Sequence, residues 1–343
     1  MSVPSFSRYD FPFPKDRIAQ TPASPRDGAR LLVFNRVSGS VSFDVFRNIG
    51  NYLPEGSVLV LNQTKVLPAR LTVRKETGGV VRLLYLRNEA KCIIALADRR
   101  LSPGSRLFLS SRRFFIVLGK EGETYVLSPS FPISDFRKIL NRFGETPLPP
   151  YIKHSPLSGR KLRNAYQSVF ARSDGSVAAP TASLHFTDRL LKKLKRSGID
   201  LQYITLHVGL GTFAPVRDEQ LRLGKLHREH FTIDQRTADF LNRAKRSGRP
   251  IVAVGTTVVR TLESAVCGKK RLSRLSGETE LFIREGHHFS FVDSMVTNFH
   301  VPRSSLLMLV SAFAGRKEIL SLYRQAILED FHLFSFGDGM LLL

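Results

Sequence analysis

The chain changes its pattern of apolar residues twice. Between residues 71 and 127 it contains six short strand-like runs, separated by turn residues such as Pro103-Gly104. Short runs joined by tight turns are typical of a small antiparallel barrel or sandwich. A helical segment at 134–143 and the prolines of the segment 147–150 follow. We therefore predict an inserted small antiparallel β-barrel domain over residues 71–145.

Outside this insert, helices alternate with short apolar strands. The strands at 57–61 and 251–254 each contain four consecutive apolar residues, which is typical of strands buried on both faces. A short helix is predicted over residues 42–52. The alternation predicts an α/β fold. We expect a layered α/β/α domain with a mixed sheet, built discontinuously from residues 1–70 and 146–343.

The net charge bears on partners. The 343 residues include 52 Lys and Arg against 29 Asp and Glu, which gives a formal charge of +23. Distributed Lys and Arg are the usual contacts of nucleic-acid phosphates. The alternative is that these side chains only solvate the surface. The charge therefore makes a nucleic acid the first candidate partner.

Cysteine usage and apolar run lengths limit the class of protein. The two cysteines, Cys92 and Cys267, have no metal-ligand or redox spacing, so a zinc site, an iron–sulfur cluster and a disulfide scaffold are poorly supported. The N-terminal segment is polar, and the longest apolar stretch, 306–314, is too short to cross a bilayer. We expect a cytoplasmic protein without a membrane segment.

Two stretches of this basic chain carry no charge. Residues 175–187 and 201–216 combine small residues, hydroxyl groups and one histidine each, His185 and His207. Small residues let the backbone approach a ligand closely, and a few polar atoms then fix its orientation. The alternative is that each histidine is a hydrogen-bonded structural residue. The two stretches predict a pocket for a neutral or zwitterionic small molecule.

Further polar clusters follow apolar strands. Gly255-Thr256-Thr257 lies between a strand and a helix that carries Arg260 and Glu263, a pair that the spacing also allows as a plain ion pair. Asp293, the segment 297–302 and the segment 337–340 are site candidates, although such residues also form ordinary turns. His227 and His230 lack an Asp or Cys that would complete a ligand set, so we expect no metal site.

Several multi-residue motifs occur in a fixed order along almost the whole chain. They are Tyr9-Asp10-Phe11-Pro12, Arg26-Asp27, Asn62-Gln63-Thr64-Lys65-Val66 with Pro68-Ala69-Arg70, Pro147-Leu148-Pro149-Pro150-Tyr151-Ile152, Tyr166-Gln167-Ser168-Val169, and the segments 175–187, 205–216, 254–263, 293–302 and 337–338. With these motifs in this order, the chain resembles the S-adenosylmethionine:tRNA ribosyltransferase-isomerase family of the queuosine pathway. Gln63 stands where the family usually has Asp.

The resemblance implies a reaction, a fold and partners. The ribosyl part of S-adenosylmethionine is transferred to 7-aminomethyl-7-deazaguanine at the wobble position of a tRNA with a GUN anticodon. It rearranges to give epoxyqueuosine, and adenine and methionine leave. The implied fold is an α/β domain with an inserted β-barrel. The implied protein is a monomer that needs no cofactor or metal, because S-adenosylmethionine is a consumed substrate.

The reaction also implies roles for site residues. A base must remove the C5′ proton that the sulfonium acidifies. His185 or His207 is the candidate base, and Asp338 or Asp293 would hold the ribose hydroxyls or the sulfonium. Lys65, Arg70 and Arg260 would hold the methionine carboxylate or tRNA phosphates. The remaining candidate substrate-binding residues are Asn62, Thr64, Thr181, Gly209, Gly211, Thr212, Thr256, Glu263, Asn298 and His300.

Two other functions share parts of this pattern. A methyltransferase would use the same donor, but the glycine-rich nucleotide loop after the first strand is missing. A non-catalytic RNA-binding protein would need only the charge, and would leave the uncharged stretches without a purpose. The candidate tRNA-facing residues are Arg160, Lys161, Arg163, Lys192, Lys193, Lys195, Arg196, Lys269, Lys270 and Arg271.

Overall fold

The computed structural model describes residues 6–209, 218–268 and 270–343. The strands are β1 (Arg30–Phe34), β2 (Val41–Val45), β3 (Val58–Asn62), β4 (Thr64–Val66), β5 (Arg70–Lys75), β6 (Val80–Glu89), β7 (Cys92–Ala97), β8 (Arg106–Ser110), β9 (Arg113–Glu121), β10 (Thr124–Pro129), β11 (Ser173–Ser176), β12 (Asp200–Leu206), β13 (Lys225–Thr232), β14 (Ile251–Val254), β15 (Val266–Cys267), β16 (Arg271–Leu272), β17 (Ser276–Leu281), β18 (Ser294–Asn298) and β19 (Gly339–Leu342). The α-helices are α1 (Phe136–Phe143), α2 (Gly159–Ala165), α3 (Asp188–Arg196), α4 (Asp218–Leu223), α5 (Gln235–Arg246), α6 (Thr256–Ala265), α7 (Ser305–Ala314) and α8 (Arg316–Leu328).

The main sheet is mixed, with parallel strands at its centre. Its order is β17-β13-β12-β3-β14-β18-β19-β1-β2. The neighbours β12, β3, β14 and β18 are mutually parallel, whereas β13 and β19 run antiparallel to them. Because parallel strands share a direction, the carboxyl ends of these four strands meet at one edge of the sheet. We call this edge the carboxyl edge.

Apolar residues cover both faces of the sheet. Along β3, Val58 and Val60 join one core, which includes α5, α6, α7 and α8, while Leu59 and Leu61 join the opposite core, which includes α3. The side chains of a strand alternate between faces, so a run of four apolar residues needs both layers. The predicted α/β fold with helices on both sides of a mixed sheet is confirmed.

One local prediction is wrong. The segment predicted as a helix over 42–52 is the edge strand β2 followed by a 3-10 helix, Phe46–Asn51. Val41, Phe43 and Val45 alternate with polar residues, and this period of two lets the segment pair antiparallel with β1. Pairing along the whole of β1 outweighs the local helical preference.

The insert is a closed antiparallel barrel with strand order β10-β7-β6-β5-β8-β9. Its core contains Leu71, Leu107 and Phe115, and Phe136 and Leu140 of α1 pack against it. The strands run from Arg70 to Pro129 and α1 ends at Phe143. The predicted inserted antiparallel β-barrel is therefore confirmed as an element of the fold.

The barrel is joined to the main domain at the carboxyl edge. β4 follows β3 directly and pairs in parallel with β11. The backbones of Arg70 and Glu145 exchange two hydrogen bonds where the chain enters and leaves the barrel. A small apolar cluster that includes Tyr166 and Phe336 packs beside this junction. Within the described ranges, no helix has the length and apolar character needed to cross a membrane.

Replacement of Gly144 by alanine tests how tightly this junction is packed. A Cβ at Gly144 would collide with the backbone oxygen of Pro68, whereas a Cβ at Gly119 in β9 would meet no atom within 4 Å. Gly144→Ala is expected to lower the free energy of unfolding by about 1–3 kcal/mol through overpacking. Denaturant unfolding measures this decrease. Gly119→Ala is the matched control, and an equal effect of both variants would contradict the steric explanation.

Candidate functional site

A cavity lies at the carboxyl edge of the four parallel strands. Its wall is formed by the segments that follow β12, β14 and β18, by β13, by α6 and α7, and by the linker after the barrel. The lining residues are Tyr151, Ala179, Pro180, Thr181, Ala182, Val208, Gln220, Leu226, His227, Glu229, Gly255, Thr256, Thr257, Arg260, Ile283, Thr297, Asn298, Phe299, His300, Val301, Ser305, Leu306, Leu309, Phe334 and Ser335. Such an edge is the usual ligand site of open α/β sheets.

A buried ion pair forms part of the cavity wall. Arg260 on α6 donates through Nη1 to Glu229 Oε2 on β13, and through Nε to the carbonyl of Leu281 at 3.0 Å. Glu229 Oε1 accepts a hydrogen bond from the amide of Gly209 at 3.0 Å. Arg260 Nη2 is buried and has no partner among the described residues. The pair therefore has one uncommitted donor group beside the cavity.

Asn62 connects the segments at this edge. Its Nδ2 donates to the carbonyl of Leu206 at 3.0 Å and to Thr257 Oγ1 at 3.2 Å. Its Oδ1 accepts from the amides of Thr64 and Leu206, both at 3.1 Å. Every hydrogen-bonding position of this buried amide is thus used within the protein. Asn62 orders the site and does not line the cavity.

His185 reaches the cavity through Asn298. Its Nε2 lies 3.2 Å from Asn298 Nδ2, and its ring lies 4.7 Å from that of Phe46. Burial, assisted by the charge of Arg26, lowers the pKa of His185 to about 4. His185 is therefore neutral near pH 7. Asn298 lines the cavity, and its Oδ1 is a buried acceptor without a partner in the described residues.

His207 directly follows β12 and precedes Val208, which lines the cavity, whereas His207 itself is not one of the lining residues. Its Nδ1 is 2.8 Å from Thr64 Oγ1, and a Cβ at Gly175 would lie 2.8 Å from the ring. Only a glycine allows the ring to pack this closely on that backbone, which also has a φ of +150°. Burial, followed by the nearby His230, lowers the pKa of His207. The ring is thus held in one orientation as a neutral imidazole.

His300 is part of the cavity wall. Its Nε2 lies 2.8 Å from Thr297 Oγ1, and its amide donates to the hydroxyl of Tyr323 at 2.8 Å. Burial lowers the pKa of His300 to about 3. Thr181 and Thr256 also line the cavity. Of the candidates from the sequence, Thr181, Thr256, Arg260, Asn298 and His300 therefore meet at one cavity.

An aromatic wall closes the side of the cavity near the barrel linker. The hydroxyl groups of Tyr151 and Ser335 lie 2.6 Å apart, and the rings of Tyr151 and Phe334 lie 5.2 Å apart. Phe334 has a φ of 71°, a strained conformation for a bulky side chain. Strain of this kind persists where surrounding contacts impose it, often at binding sites.

The acidic candidates have their oxygens committed within the protein, mostly to backbone amides. Asp338 accepts from the amides of Arg30 and His332, both at 2.7 Å, and burial raises its pKa. Glu263 accepts from the amides of residues 290–292. Asp293 bonds Lys245 and the amide of Ile251, at the amino ends of β18 and β14. Asp293 therefore lies at the edge of the sheet opposite the cavity.

Some of the remaining candidates lie near the junction with the barrel, and others lie outside the described residues. Lys65 lies 3.9 Å from Asp174 on β11. Arg70 donates to the carbonyl of Leu148 at 3.0 Å and belongs to the barrel junction. Gly211, Thr212 and Lys269 lie outside the described residues.

The basic candidates do not form one surface. Lys192, Lys193, Lys195 and Arg196 are exposed on α3, which packs on one face of the sheet. Lys270 and Arg271 belong to the β15–β16 hairpin, whose Leu272 joins the core on the opposite face. Arg160 and Lys161 are exposed on α2, whereas Arg163 donates to the carbonyls of Asn141 and Gly144 and ties α2 to the barrel.

The sequence reasoning missed Glu229, Tyr151 and Ser335 as site residues. A signal for Glu229 was present, because Glu229, Phe231 and Ile233 alternate along the chain and the two apolar members are buried. A carboxylate in the buried phase of a strand needs a partner. No comparable pattern marks Tyr151 or Ser335, which meet from segments 184 residues apart. Among the described residues, no group of three or more His, Cys, Asp or Glu could hold a metal ion.

These features define an α/β protein with a small-molecule cavity at the carboxyl edge of its sheet, beside an inserted β-barrel. Residues 6–342 match the family described as queuosine biosynthesis protein. The chain is 43% identical over 344 residues to the S-adenosylmethionine:tRNA ribosyltransferase-isomerase of Carboxydothermus hydrogenoformans, and 44% identical over 343 residues to that of Moorella thermoacetica, with 98% of each chain covered in both cases.

A solved structure agrees with this match. The crystal structure of S-adenosylmethionine tRNA ribosyltransferase from Thermotoga maritima is similar to this chain with a TM-score of 0.57 and 32% sequence identity, and the match covers 98% of this chain and 100% of that one. The chain belongs to the queuosine biosynthesis protein family. The relatives that it resembles are named S-adenosylmethionine:tRNA ribosyltransferase-isomerase.

The depressed pKa of His300 predicts a pH-dependent stability. The unfolded chain binds a proton at His300 below about pH 6.5, whereas the folded chain does not until about pH 3. The contribution is therefore present above pH 6.5 and is lost as the pH falls. Between pH 7.5 and 5 it lowers the free energy of unfolding by about 2 kcal/mol.

Denaturant unfolding at the two pH values checks this prediction. In His300→Gln, the free energy of unfolding is expected to fall by about 2 kcal/mol less than in the wild type over that interval. His154→Gln, which replaces an exposed histidine, is the control and should behave as the wild type. An unchanged pH dependence in His300→Gln would refute the prediction.

Proposed function

We propose that the cavity at the carboxyl edge binds S-adenosylmethionine. The protein is a transferase and isomerase of tRNA modification in the queuosine pathway: it transfers the ribosyl part of S-adenosylmethionine into tRNA and rearranges it. The observation that carries this function is the family match over residues 6–342, with relatives about 43% identical across the whole chain. The cavity supports it, because apolar walls with a few uncommitted polar groups suit a small zwitterion.

The proposed acceptor is 7-aminomethyl-7-deazaguanine at the wobble position of a tRNA with a GUN anticodon, and the product is epoxyqueuosine, with adenine and methionine released. We propose that the reaction needs no resident cofactor, since the sulfonium of the substrate itself makes the C5′ proton acidic. We further propose that the enzyme acts as a monomer in the cytoplasm.

We propose that a neutral histidine is the base. A base must be unprotonated to accept the C5′ proton, and both His185 and His207 have lowered pKa values. The contacts favour His207: Thr64 engages Nδ1, and no described residue bonds Nε2. His185 has Nε2 engaged by Asn298 and would need that amide to turn away. An imidazole oriented through one nitrogen with the other free is the usual arrangement of a general base.

Replacement of the two histidines tests this proposal. His207→Asn is expected to lower kcat for tRNA-dependent adenine release by about 100-fold to 10,000-fold, the usual contribution of a general base. His185→Asn is expected to have the smaller effect. Mass spectrometry of the tRNA nucleosides identifies the product. If His207→Asn retains the wild-type kcat, His207 is not the base, and if both variants do, neither histidine is.

We propose that α3 contacts the tRNA backbone. Lys192, Lys193 and Lys195 are exposed and form no ion pair within the described residues. α3 begins shortly after the segment Thr181–His185, whose Thr181 lines the cavity. A tRNA backbone bound to these lysines would therefore run along α3 from its start near the cavity wall toward the amino end of β12, which begins at Asp200.

The salt dependence of tRNA binding tests this role of α3. The triple variant Lys192→Gln, Lys193→Gln, Lys195→Gln is expected to reduce the slope of log affinity against log salt by ~0.7–0.9 for each phosphate that it no longer neutralises. The control is Lys270→Gln with Arg271→Gln, on the opposite face of the sheet, which should leave the slope unchanged. A reversed pattern would assign the tRNA to the hairpin face.

A further inference from the structure

We infer that Arg260, held in place by Glu229, binds the methionine carboxylate of S-adenosylmethionine. This inference rests on the proposed function, because it assigns one end of the substrate within the same cavity. It makes Arg260 a substrate-binding residue with one defined ligand group and makes Glu229 a positioning residue.

The guanidinium of Arg260 has one nitrogen in reserve. The residue is only 6% exposed, and its Nε and Nη1 donate to Leu281 and Glu229. Nη2 has no partner among the described residues. A buried charged donor without a partner loses its hydration without a compensating hydrogen bond, which destabilises the unliganded site. Because Arg260 lines the cavity, a ligand acceptor there would remove this cost.

The surroundings favour an anionic acceptor. Arg260 lies on α6, which has ten residues and begins at Thr256 in the cavity wall. The amides of the first helical turn have no helical carbonyl to bond, and the helix dipole adds positive potential there. The cavity lining also includes the apolar residues Ile283, Leu306 and Leu309. A planar carboxylate suits a guanidinium edge, and the carboxylate is the only anionic group of S-adenosylmethionine.

Glu229 fixes the direction of this guanidinium. It is also 6% exposed, and it bonds Arg260 and the amide of Gly209 at the end of the β12 segment. It thereby commits Nη1 and leaves Nη2 as the free donor. Buried ion pairs of this kind add little stability by themselves. Their value here is that three hydrogen bonds hold one donor at a set place before the ligand arrives.

Binding of two donors that differ in one group tests the inference. Isothermal titration calorimetry compares S-adenosylmethionine with decarboxylated S-adenosylmethionine on the full-length protein. The wild type is expected to bind the carboxylated compound ~100-fold more tightly, as for a charged hydrogen-bonded pair. Arg260→Lys is expected to reduce this ratio to ~10-fold or less, since Lys cannot bond Glu229 and the ligand in the same fork geometry.

The double variant Glu229→Met with Arg260→Met removes both charges and avoids an unpaired buried carboxylate. This double variant is expected to reduce the binding ratio to ~3-fold or less. The single variant Glu229→Gln is expected to divide the wild-type ratio by ~5. Each change weakens a buried charged pair. A purely structural role of Glu229 would leave the ratio unchanged. Thermal unfolding verifies that each variant is folded. If the double variant does not fold, the binding ratio of Arg260→Lys decides the test.

The matched control is Arg228→Met. Arg228 neighbours Glu229 on β13 but is exposed and paired with Glu280, so its variant should keep the wild-type ratio. The inference is overturned if the wild type binds both compounds equally, or if the folded Arg260 variants keep the wild-type ratio. Weaker tRNA affinity with an unchanged ratio would assign Arg260 to a phosphate and would equally overturn it.

The proposed function is judged by a separate readout. Adenine release from S-adenosylmethionine by the wild type must depend on tRNA. Absence of that release, with the binding ratio intact, would refute the function and leave the carboxylate site. Normal release with no binding preference would retain the function and refute the site.

Discussion

The amide of one buried side chain, Asn62, holds together the segments that form the site. It bonds both backbone groups of Leu206 at the end of β12, the amide of Thr64 at the start of β4, and the hydroxyl of Thr257 on α6. Parallel strands end with backbone groups that the sheet no longer pairs, and buried groups of this kind need partners. Asn62 supplies them, so that β12, β3 and α6 keep a fixed spacing. The cavity, His207 and the entry to the barrel all follow from that spacing.

The low polarity of this region then sets the state of its ionisable groups. Burial lowers the pKa values of His185 and His300, so that both side chains stay neutral at pH values well below 6.5. Burial also destabilises a charge that has no partner. The charged groups present are therefore committed: Glu229 to Arg260 and a backbone amide, and Asp338 to two backbone amides. The buried groups without a partner among the described residues include two of opposite kind on residues of the cavity lining, a donor on Arg260 and an acceptor on Asn298. A zwitterionic ligand matches this combination.

Sequence reasoning succeeded where a local pattern has a single structural solution. Four apolar residues in β3 and in β14 required cover on both faces, and the turns between residues 71 and 127 required short antiparallel strands. The helix predicted over residues 42–52 was wrong. The first part of this segment is stabilised as a strand by pairing with β1, and the local sequence contains no information about that partner. Of the candidate site residues, Thr181, Thr256, Arg260, Asn298 and His300 share the cavity, and their roles toward the substrate stay predictions.

Asp293 shows why the rest of the site was not recoverable. It directly precedes β18, whereas Asn298 is the last residue of that strand, and both have the same standing as candidates when only the sequence is considered. β18 has five residues and is about 17 Å long, so the two side chains lie at opposite edges. Glu229 is the opposite case, a site residue that was not a candidate. It reaches the site only because β13 pairs with β12 and thereby brings Glu229 next to Arg260 on α6.

The amino-acid order alone dictates the alternation of buried strands and helices, the inserted antiparallel barrel, the uncharged stretches and the succession of motifs that identifies the family. These properties depend on local periodicity, composition and residue identity. Folding in three dimensions establishes which edge holds the cavity, which donors remain free and which faces carry the basic residues. Those outcomes depend on strand order and on contacts between distant segments, and a linear pattern contains no distance between them.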